Sequence, residues 1–162
     1  MKRIVFFLCT AVLMSGTALA EEKAEGRVDR IKAGEWAVYK MMGRDDVTQR
    51  HTVVAIEGEG DEAVVVFSAA VYAEDKLINQ VEMRRTKAEM RREEAETAKK
   101  ILRKETVTIN GKEIEAEVAV DVVDGVEFTY YGSNDLPVNG VIRMERAGVP
   151  YPLSELIDYG FE

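Results

Sequence analysis

Cysteine and histidine are almost absent from this chain of 162 residues, which has one of each. Cys9 lies inside an apolar N-terminal run, so a chain that has lost this run has no disulfide, thiol nucleophile or thiolate metal ligand. The usual zinc sites need several His or Cys ligands and are therefore excluded. A Ser-His-Asp arrangement would have to use His51, and no serine beyond the N-terminal run lies in a nucleophile-elbow sequence. We interpret His51 as a surface or satisfied strand residue.

Cofactor motifs are also missing, because the sequence has no GxGxxG, no P-loop and no EF-hand loop. Two acidic groups could bind a cation weakly, namely Asp45 with Asp46 and Glu59 with the acids at 61–62, but neither has the spacing of a calcium loop. We therefore expect no catalytic residue, no cofactor and no metal site. An enzyme is the least favoured class.

The N-terminus has the order of features of a secretory signal peptide. Lys2 and Arg3 precede an apolar run at residues 4–14, and Ala18 and Ala20 are the small residues that a signal peptidase reads. This predicts cleavage near Ala20-Glu21 and a periplasmic or secreted protein. The run is shorter than the roughly 20 residues that span a bilayer, so we expect no transmembrane segment in the mature chain. A lipid anchor at Cys9 is the alternative.

Loss of residues 1–20 would take the formal net charge from −8 to −10. Such an acidic surface repels nucleic acid, so we expect no nucleic-acid partner. Residues 21–33 are charged with few large apolar side chains, which predicts a flexible N-terminal segment, either a tether or a frayed helix. Residues 34–162 are then expected to form a single β-rich domain.

One basic stretch stands out, since residues 84–105 hold nine Lys or Arg and five Glu. The stretch lacks Gly and Pro, consists of strong helix formers and has opposite charges at i,i+4 spacing, which predicts one long surface helix. We interpret it as a solvated helix that lies over a sheet with its bases toward the acidic body. The alternative is a basic face for an anionic partner or for membrane headgroups.

After this stretch the pattern changes to strict alternation. Residues 113–122 have apolar side chains at even positions and mostly charged ones at odd positions, as in a strand with one wet face. Asn110-Gly111 and Asp124-Gly125 flank this strand and favour tight hairpins. Residues 105–131 are therefore predicted to be a three-stranded antiparallel meander.

The N-terminal half also has strand-like runs, but these are apolar on both faces or nearly so. They lie at residues 36–39, 51–56 and 63–67, with turn-rich breaks at 43–46 and 58–62 and one or two further strands at 68–81. The fold class predicted is α+β, mainly antiparallel β: a single curved sheet or half-barrel crossed by the helix at about 84–105.

Between the last strands lies a turn-rich stretch, TYYGSNDLPVNGVIRME, at residues 129–145. Pro137 cannot donate a ladder hydrogen bond, and Gly140 follows Asn139 in a turn dipeptide, which favours a corner over a catalytic site. The side chains that would either bind a ligand or close this corner are Tyr130, Tyr131, Ser133 and Asp135.

The same stretch resembles the C-terminal part of exported bacterial proteins of uncharacterised function. The resemblance rests on the aromatic pair, Ser133, Asp135, the LP at 136–137, the GVIR at 140–143 and the terminal LIDYG at 156–160; Tyr131 stands where that pattern has Trp. The build of such proteins is similar to the half-barrel of the lipoprotein carriers LolA and LppX. No catalytic residue is carried over.

The resemblance implies a curved sheet whose apolar concave face, partly covered by the helix, holds an acyl chain or another apolar ligand. The candidate lining residues are Trp36, Tyr39, Phe67, Phe128 and Met90. The protein would then be an exported, non-catalytic binding or carrier-like protein for an apolar small molecule or lipid. The alternatives are that both faces of the sheet are packed, and that the chain is a structural or protein-interaction component of the envelope with a protein partner.

Overall fold

The computed structural model describes residues 26–41, 43–98 and 100–162. Within these ranges the chain forms two α-helices and nine strands, with a 3₁₀ turn at Gly60–Glu62. The elements are α1 (Arg27–Arg30), β1 (Glu35–Met41), β2 (Arg44–Glu57), β3 (Val64–Ala73), β4 (Lys76–Thr86), α2 (Lys87–Ala98), β5 (Ile101–Ile109), β6 (Lys112–Val123), β7 (Val126–Gly132), β8 (Val141–Arg146) and β9 (Ser154–Phe161).

All nine strands belong to one curved, open sheet with the order β4-β3-β2-β1-β9-β8-β7-β6-β5. Every neighbouring pair is antiparallel. Strands β1 to β4 and β5 to β8 are two meanders, and β9 returns between them to pair with both β1 and β8. This confirms the predicted α+β class and the single curved antiparallel sheet.

The two hairpins of the predicted meander are present. Asn110 and Gly111 have φ of +50° and +74°, and Asp124 and Gly125 have φ of +52° and +77°. Left-handed conformations at both central residues are those of two-residue type I′ turns. The registers place Ile109 opposite Lys112 and residue 123 opposite 126.

The helix predicted at 84–105 is shorter at both ends, because residues 84–86 complete β4 and β5 begins at Ile101. Its start is fixed by a capping box, in which Glu89 N donates to Thr86 Oγ1 (3.2 Å) and Thr86 N donates to Glu89 Oε2 (3.0 Å). At the other end the ladder with β6 outweighs local helix propensity. The break predicted at 43–46 is likewise shorter, since β2 begins at Arg44.

The segment predicted to be flexible at 21–33 differs from that prediction in its described part. From Gly26 onward it packs on the sheet, with Arg27 3% exposed, Val28 fully buried and Ile31 3% exposed. Of the charged side chains in this part, Arg27 pairs with the buried Glu35. Residues 21–25 and the predicted signal peptide at 1–20 lie outside the described residues.

Side chains from both meanders, the helices and the 133–140 corner form the core. Its members include Val53 and Val65 of the first meander, Ala116 and Val118 of the second, and Val28, Met90, Leu136 and Val138 from the segments that cover the sheet. This chain's own side chains therefore occupy the space over the core face of the sheet. In the described ranges, neither helix has the length and apolar character needed to cross a membrane.

Candidate functional site

Residues 133–140 form a corner that closes on itself through backbone hydrogen bonds. Ser133 N donates to the Gly140 carbonyl oxygen (2.8 Å), and Gly140 N donates to that of Pro137 (3.1 Å). Asp135 N donates to Ser133 Oγ (3.3 Å). Gly140 has φ of +66°, and a Cβ there would lie 2.5 Å from the Ser133 carbonyl oxygen, so only glycine fits.

A buried ion pair holds the middle of the corner. Arg27 Nη2 lies 3.4 Å from Glu35 Oε2, and both side chains are almost fully buried. Glu35 Oε2 accepts from Val138 N (2.9 Å), while the Arg27 guanidinium donates to the Val138 carbonyl oxygen through Nη2 (2.5 Å) and Nε (3.2 Å). Val138 has φ of +58°, an unfavourable conformation for a β-branched residue. The Arg27–Glu35 pair provides hydrogen-bond partners for both the N–H and the carbonyl oxygen of Val138.

The end of the corner is tied to β1. The Tyr39 hydroxyl donates to Asn139 Oδ1 (2.7 Å) and lies 3.1 Å from the Val141 carbonyl oxygen. Val141 N also donates to Asn139 Oδ1 (3.2 Å). Because Tyr39 and Asn139 are both buried, these bonds fix where β8 starts relative to β1.

Helix α2 secures the N-terminal segment from the other side. Arg27 N donates to Glu94 Oε1 (2.9 Å), and Glu94 is buried. Arg91 forms ion pairs with Asp29 of α1 and with Asp61 of the 3₁₀ turn. One base of α2, Arg91, thus faces carboxylates of the body.

An open cleft of about 410 Å³ lies where the N-terminal segment, the corner and the end of β9 meet. Its lining combines cations, carboxylates and aromatic rings: Arg27, Arg30, Lys32, Glu35, Asn134, Asp135, Leu136, Pro137, Tyr159, Gly160 and Phe161. The buried Arg27–Glu35 pair forms part of the floor, and the rim is more exposed.

The outer part of the cleft has a positive balance in an otherwise acidic protein. Arg30 and Lys32 are exposed, and neither forms an ion pair within the part of the chain that the structure describes. Glu35 is already engaged by Arg27, which leaves Asp135 as the exposed carboxylate of the lining. Phe161, 62% exposed, adds a large apolar surface beside these cations.

The five residues predicted to line an apolar cavity do not all lie on one face of the sheet. Tyr39 and Met90 belong to the buried core, and Phe67 packs partly against it. Trp36 projects from the opposite face of β1 to Tyr39, since strand side chains alternate, and lies under the Arg50 guanidinium at 4.8 Å. Phe128 lies on the opposite face of β7 to the core residue Tyr131. The prediction missed this because it counted apolar residues without assigning each to a face.

The four corner candidates are also dispersed. Tyr131 is buried, with the Arg143 guanidinium 4.0 Å from its ring centroid. Tyr130 projects from the other face of β7 and stacks on Phe128 with 6.4 Å between centroids. Ser133 is buried and accepts the Asp135 N–H described above. Of the four, Asp135 lines the cleft.

His51 lies in β2 beside Tyr39, with 5.2 Å between ring centroids. Burial lowers its pKa to about 4, so the imidazole is neutral at pH 7. Its Nε2 is buried without a hydrogen-bond partner in the described part of the chain. No cluster of three or more metal-binding side chains occurs within residues 26–41, 43–98 and 100–162.

Sequence reasoning missed the residues that give the cleft its character, Arg30, Lys32 and Phe161. Residues 30 and 161 are far apart in sequence, and they meet only because β9 pairs with β1, with Glu35 opposite Phe161. No local motif marks this proximity. Comparisons with protein-family models, curated proteins and solved structures find no match to this chain.

Proposed function

We propose that the protein is an exported, non-catalytic binding protein that holds an amphipathic organic anion in the cleft. The observation that carries this proposal is the placement of two exposed cations, Arg30 and Lys32, beside the half-buried ring of Tyr159 and the exposed ring of Phe161. Neither cation has an ion-pair partner among the described residues. A carboxylate group would pair with the cations while its aliphatic or aromatic tail covers the rings.

The site is in the cleft rather than inside the half-barrel. The space over the core face is occupied by Val28, Met90, Leu136 and Val138, each at most 3% exposed. An internal apolar ligand would have to displace them, at the cost of their burial. The cleft needs no such displacement, and its volume lies within the roughly 300–1,000 Å³ of small-molecule sites.

The surroundings of the cleft favour binding with little rearrangement. Its floor is fixed by the bonds of Arg27 and Glu35 to Val138, and its wall by the closed 133–140 corner. A site that is already ordered avoids the entropy cost of ordering on binding. A catalytic function has less support, because the chain's one imidazole, His51, is a weak base and does not line the cleft.

The alternative, a structural or protein-interaction component of the envelope, is favoured by a different observation. Strand β4 ends the sheet, and its Leu77, Ile78 and Val81 are exposed. This surface is separate from the cleft, so the two roles are distinguished by experiments on different residues.

The binding proposal is tested by titrating the purified protein with decanoate below its micelle concentration, using isothermal calorimetry and the fluorescence of Trp36, the chain's one tryptophan. Trp36 lies directly opposite Gly160 of the cleft lining. We expect decanoate to bind and decyltrimethylammonium, with the same tail and opposite charge, to bind much more weakly.

Variants locate the site. The double substitution Arg30→Gln with Lys32→Gln is expected to weaken decanoate binding about 5- to 10-fold, because two exposed charge pairs contribute roughly 1 kcal/mol together or slightly more. Asp135→Asn removes a carboxylate from the lining and should strengthen decanoate binding. Arg92→Gln, an exposed cation on α2 outside the lining, is the matched control. Equal binding by all variants, or no binding by the wild type, would refute the proposal.

A further inference from the structure

Two of the four asparagines in this chain precede a glycine, at Asn110-Gly111 and at Asn139-Gly140. An asparagine amide is attacked most readily by the backbone nitrogen of a following glycine, because glycine has no side chain to shield that nitrogen. The structure places the two dipeptides in opposite surroundings. The first lies at the exposed tip of the β5–β6 hairpin, and the second lies in the buried corner.

The hairpin tip leaves both reacting groups accessible. Asn110 and Gly111 are exposed, and no atom lies within 4 Å of a Cβ built on Gly111. The Gly111 N–H forms no backbone hydrogen bond within the described part of the chain. Asn110 Nδ2 donates to Asp158 Oδ1 (3.1 Å), and a single bond at such an exposed site costs little to break. The loop can therefore flex until the Gly111 nitrogen reaches Asn110 Cγ.

The corner protects the second dipeptide. Asn139 is buried, and its Oδ1 accepts hydrogen bonds from the Tyr39 hydroxyl (2.7 Å) and from Val141 N (3.2 Å). Gly140 is also buried, and its N–H donates to the Pro137 carbonyl oxygen (3.1 Å). The carboxamide and the nitrogen that would attack it are thus both held in place. Neither can move without opening the corner.

We propose that Asn110 is a site of spontaneous modification, at which the folded protein converts asparagine into aspartate and isoaspartate. The Gly111 nitrogen loses its proton to solvent and forms a bond to Asn110 Cγ. The Cγ–Nδ2 bond breaks, and Nδ2 takes up a proton and leaves as ammonia. Water then opens the cyclic imide at either carbonyl carbon, which gives aspartate or isoaspartate. No atom is oxidised or reduced, and water is the one co-reactant.

The reaction changes a contact that closes the curved sheet. Strand β5 ends the sheet and β9 is its middle strand, but the hairpin tip reaches β9 through Asn110 and Asp158. Lys112 Nζ lies beside this contact, 5.9 Å from the centroid of the Tyr159 ring. Aspartate at position 110 replaces a donor with a second carboxylate facing Asp158, and isoaspartate also lengthens the main chain of a two-residue turn. Both products therefore loosen the tip from β9.

Peptide mapping by mass spectrometry tests the site, with Asn139 as the internal control. The protein is incubated at mildly alkaline pH, either folded or unfolded in urea, and digested with trypsin; a sample digested without incubation corrects for reaction during digestion. Trypsin separates residues 105–112, which contain Asn110, from residues 113–143, which contain Asn139.

In urea both Asn-Gly sites should react. In the folded protein Asn110 should react within about tenfold of its rate in urea, and Asn139 at least about 100-fold more slowly than in urea, because the corner must open first. Folded protein that leaves Asn110 unmodified, or that modifies both sites equally, would overturn the inference.

A group-exchange experiment tests the effect on the closure, with amide hydrogen exchange at Ile109 and Lys112 as the measurement, since these residues pair at the tip of the ladder. Asn110→Asp should speed exchange about three- to fivefold, the scale of an exposed charge interaction. Adding Asp158→Asn exchanges the amide and the carboxylate and should restore the wild-type rate. Asn79→Asp makes the same amide-to-acid change on β4 and should have no effect on these two amides.

Unchanged exchange in Asn110→Asp, or a double variant that exchanges as fast as this single variant, would contradict the loosening of the tip. Neither experiment uses a ligand, so both succeed or fail independently of anion binding.

Discussion

Replacement of Arg27 by methionine tests the buried network under the cleft. The substitution keeps most of the side-chain volume but leaves the Glu35 carboxylate buried without its cation. It also removes two donors from the Val138 carbonyl oxygen. Glu35→Gln is the reciprocal change, because it retains an acceptor for Val138 N (2.9 Å in the wild type) while leaving the guanidinium unpaired. Both substitutions act on one contact between the N-terminal segment and the corner.

The magnitude follows from burial and distance. At the 3.4 Å separation of Arg27 Nη2 and Glu35 Oε2, the Coulomb attraction is about 5 kcal/mol at an effective dielectric constant of about 20, largely offset by desolvation. Burial lowers the pKa of Arg27, and the Glu35 carboxylate opposes that shift. Removing one partner of such a pair costs about 3–5 kcal/mol, because the other charge stays buried. We expect each single variant to lose about 3 kcal/mol of unfolding free energy, and the double variant to lose about 2 kcal/mol less than the sum of the two single losses.

The assay is urea unfolding of the wild type, both single variants and the double variant, followed by circular dichroism. Unchanged m-values would show that the comparison concerns stability alone. Arg92→Gln, an exposed cation, should change the free energy of unfolding by less than about 0.5 kcal/mol. The proposed Arg27–Glu35 network would be refuted if either single variant lost less than about 1 kcal/mol of unfolding free energy. It would also be refuted if the double variant lost the full sum of the two single losses.

Three further outcomes are expected. Gly125→Val should lower stability by about 1–3 kcal/mol through backbone strain alone, since φ is +77° and no atom lies within 4 Å of the added Cβ. Gly125→Asn should cost less, because Asn adopts this conformation more readily. Coincident thermal melts of Gly125→Val and the wild type would contradict the turn assignment. The unfolded chain protonates His51 below pH 6.5 and the folded chain only near pH 4, so the free energy of unfolding should fall by roughly 1–2 kcal/mol as the pH is lowered from 6.5 to 4, a value discounted for partial exposure. A His51→Leu variant with the same pH dependence as the wild type would contradict this. N-terminal sequencing of exported protein from a bacterial host should give Glu21 first, and retention of residues 1–20 would overturn the predicted cleavage.

The parts of the fold that local pattern could predict are those held by local chemistry. Asn110-Gly111 and Asp124-Gly125 fix two hairpins through φ > 0, and strict alternation marks β6 between them. The C-terminal end of the helix could not be predicted in this way, because Arg103 to Glu105 have helix-favouring types but lie in a strand that pairs with β6. The pairing of β5 with β6 determines that this segment is a strand. The start of the helix does have a local signal, the capping-box sequence from Thr86 to Glu89, which the prediction did not use.

The candidate site depends almost wholly on long-range contacts. Pro137 and Gly140 predicted a corner, but a β-branched Val138 at φ of +58° has no sequence signal, since Arg27 and Glu35 stabilise it from outside the corner. The same pairing makes a charged N-terminal segment part of the core. Alternation in β1 is enough to place Trp36 and Tyr39 on opposite faces, but the cavity prediction did not apply it, so that error was avoidable.

The central claim is that the cleft binds an amphipathic anion, and backbone amide NMR during a decanoate titration tests it most directly. The account predicts saturable shifts at the cleft residues Asn134, Gly160 and Phe161, with small shifts at Val53 and Ala116 in the core, and no such pattern with decyltrimethylammonium. Saturable shifts centred on the core residues would place the ligand inside the half-barrel. That result, or the absence of saturable shifts, would contradict the account.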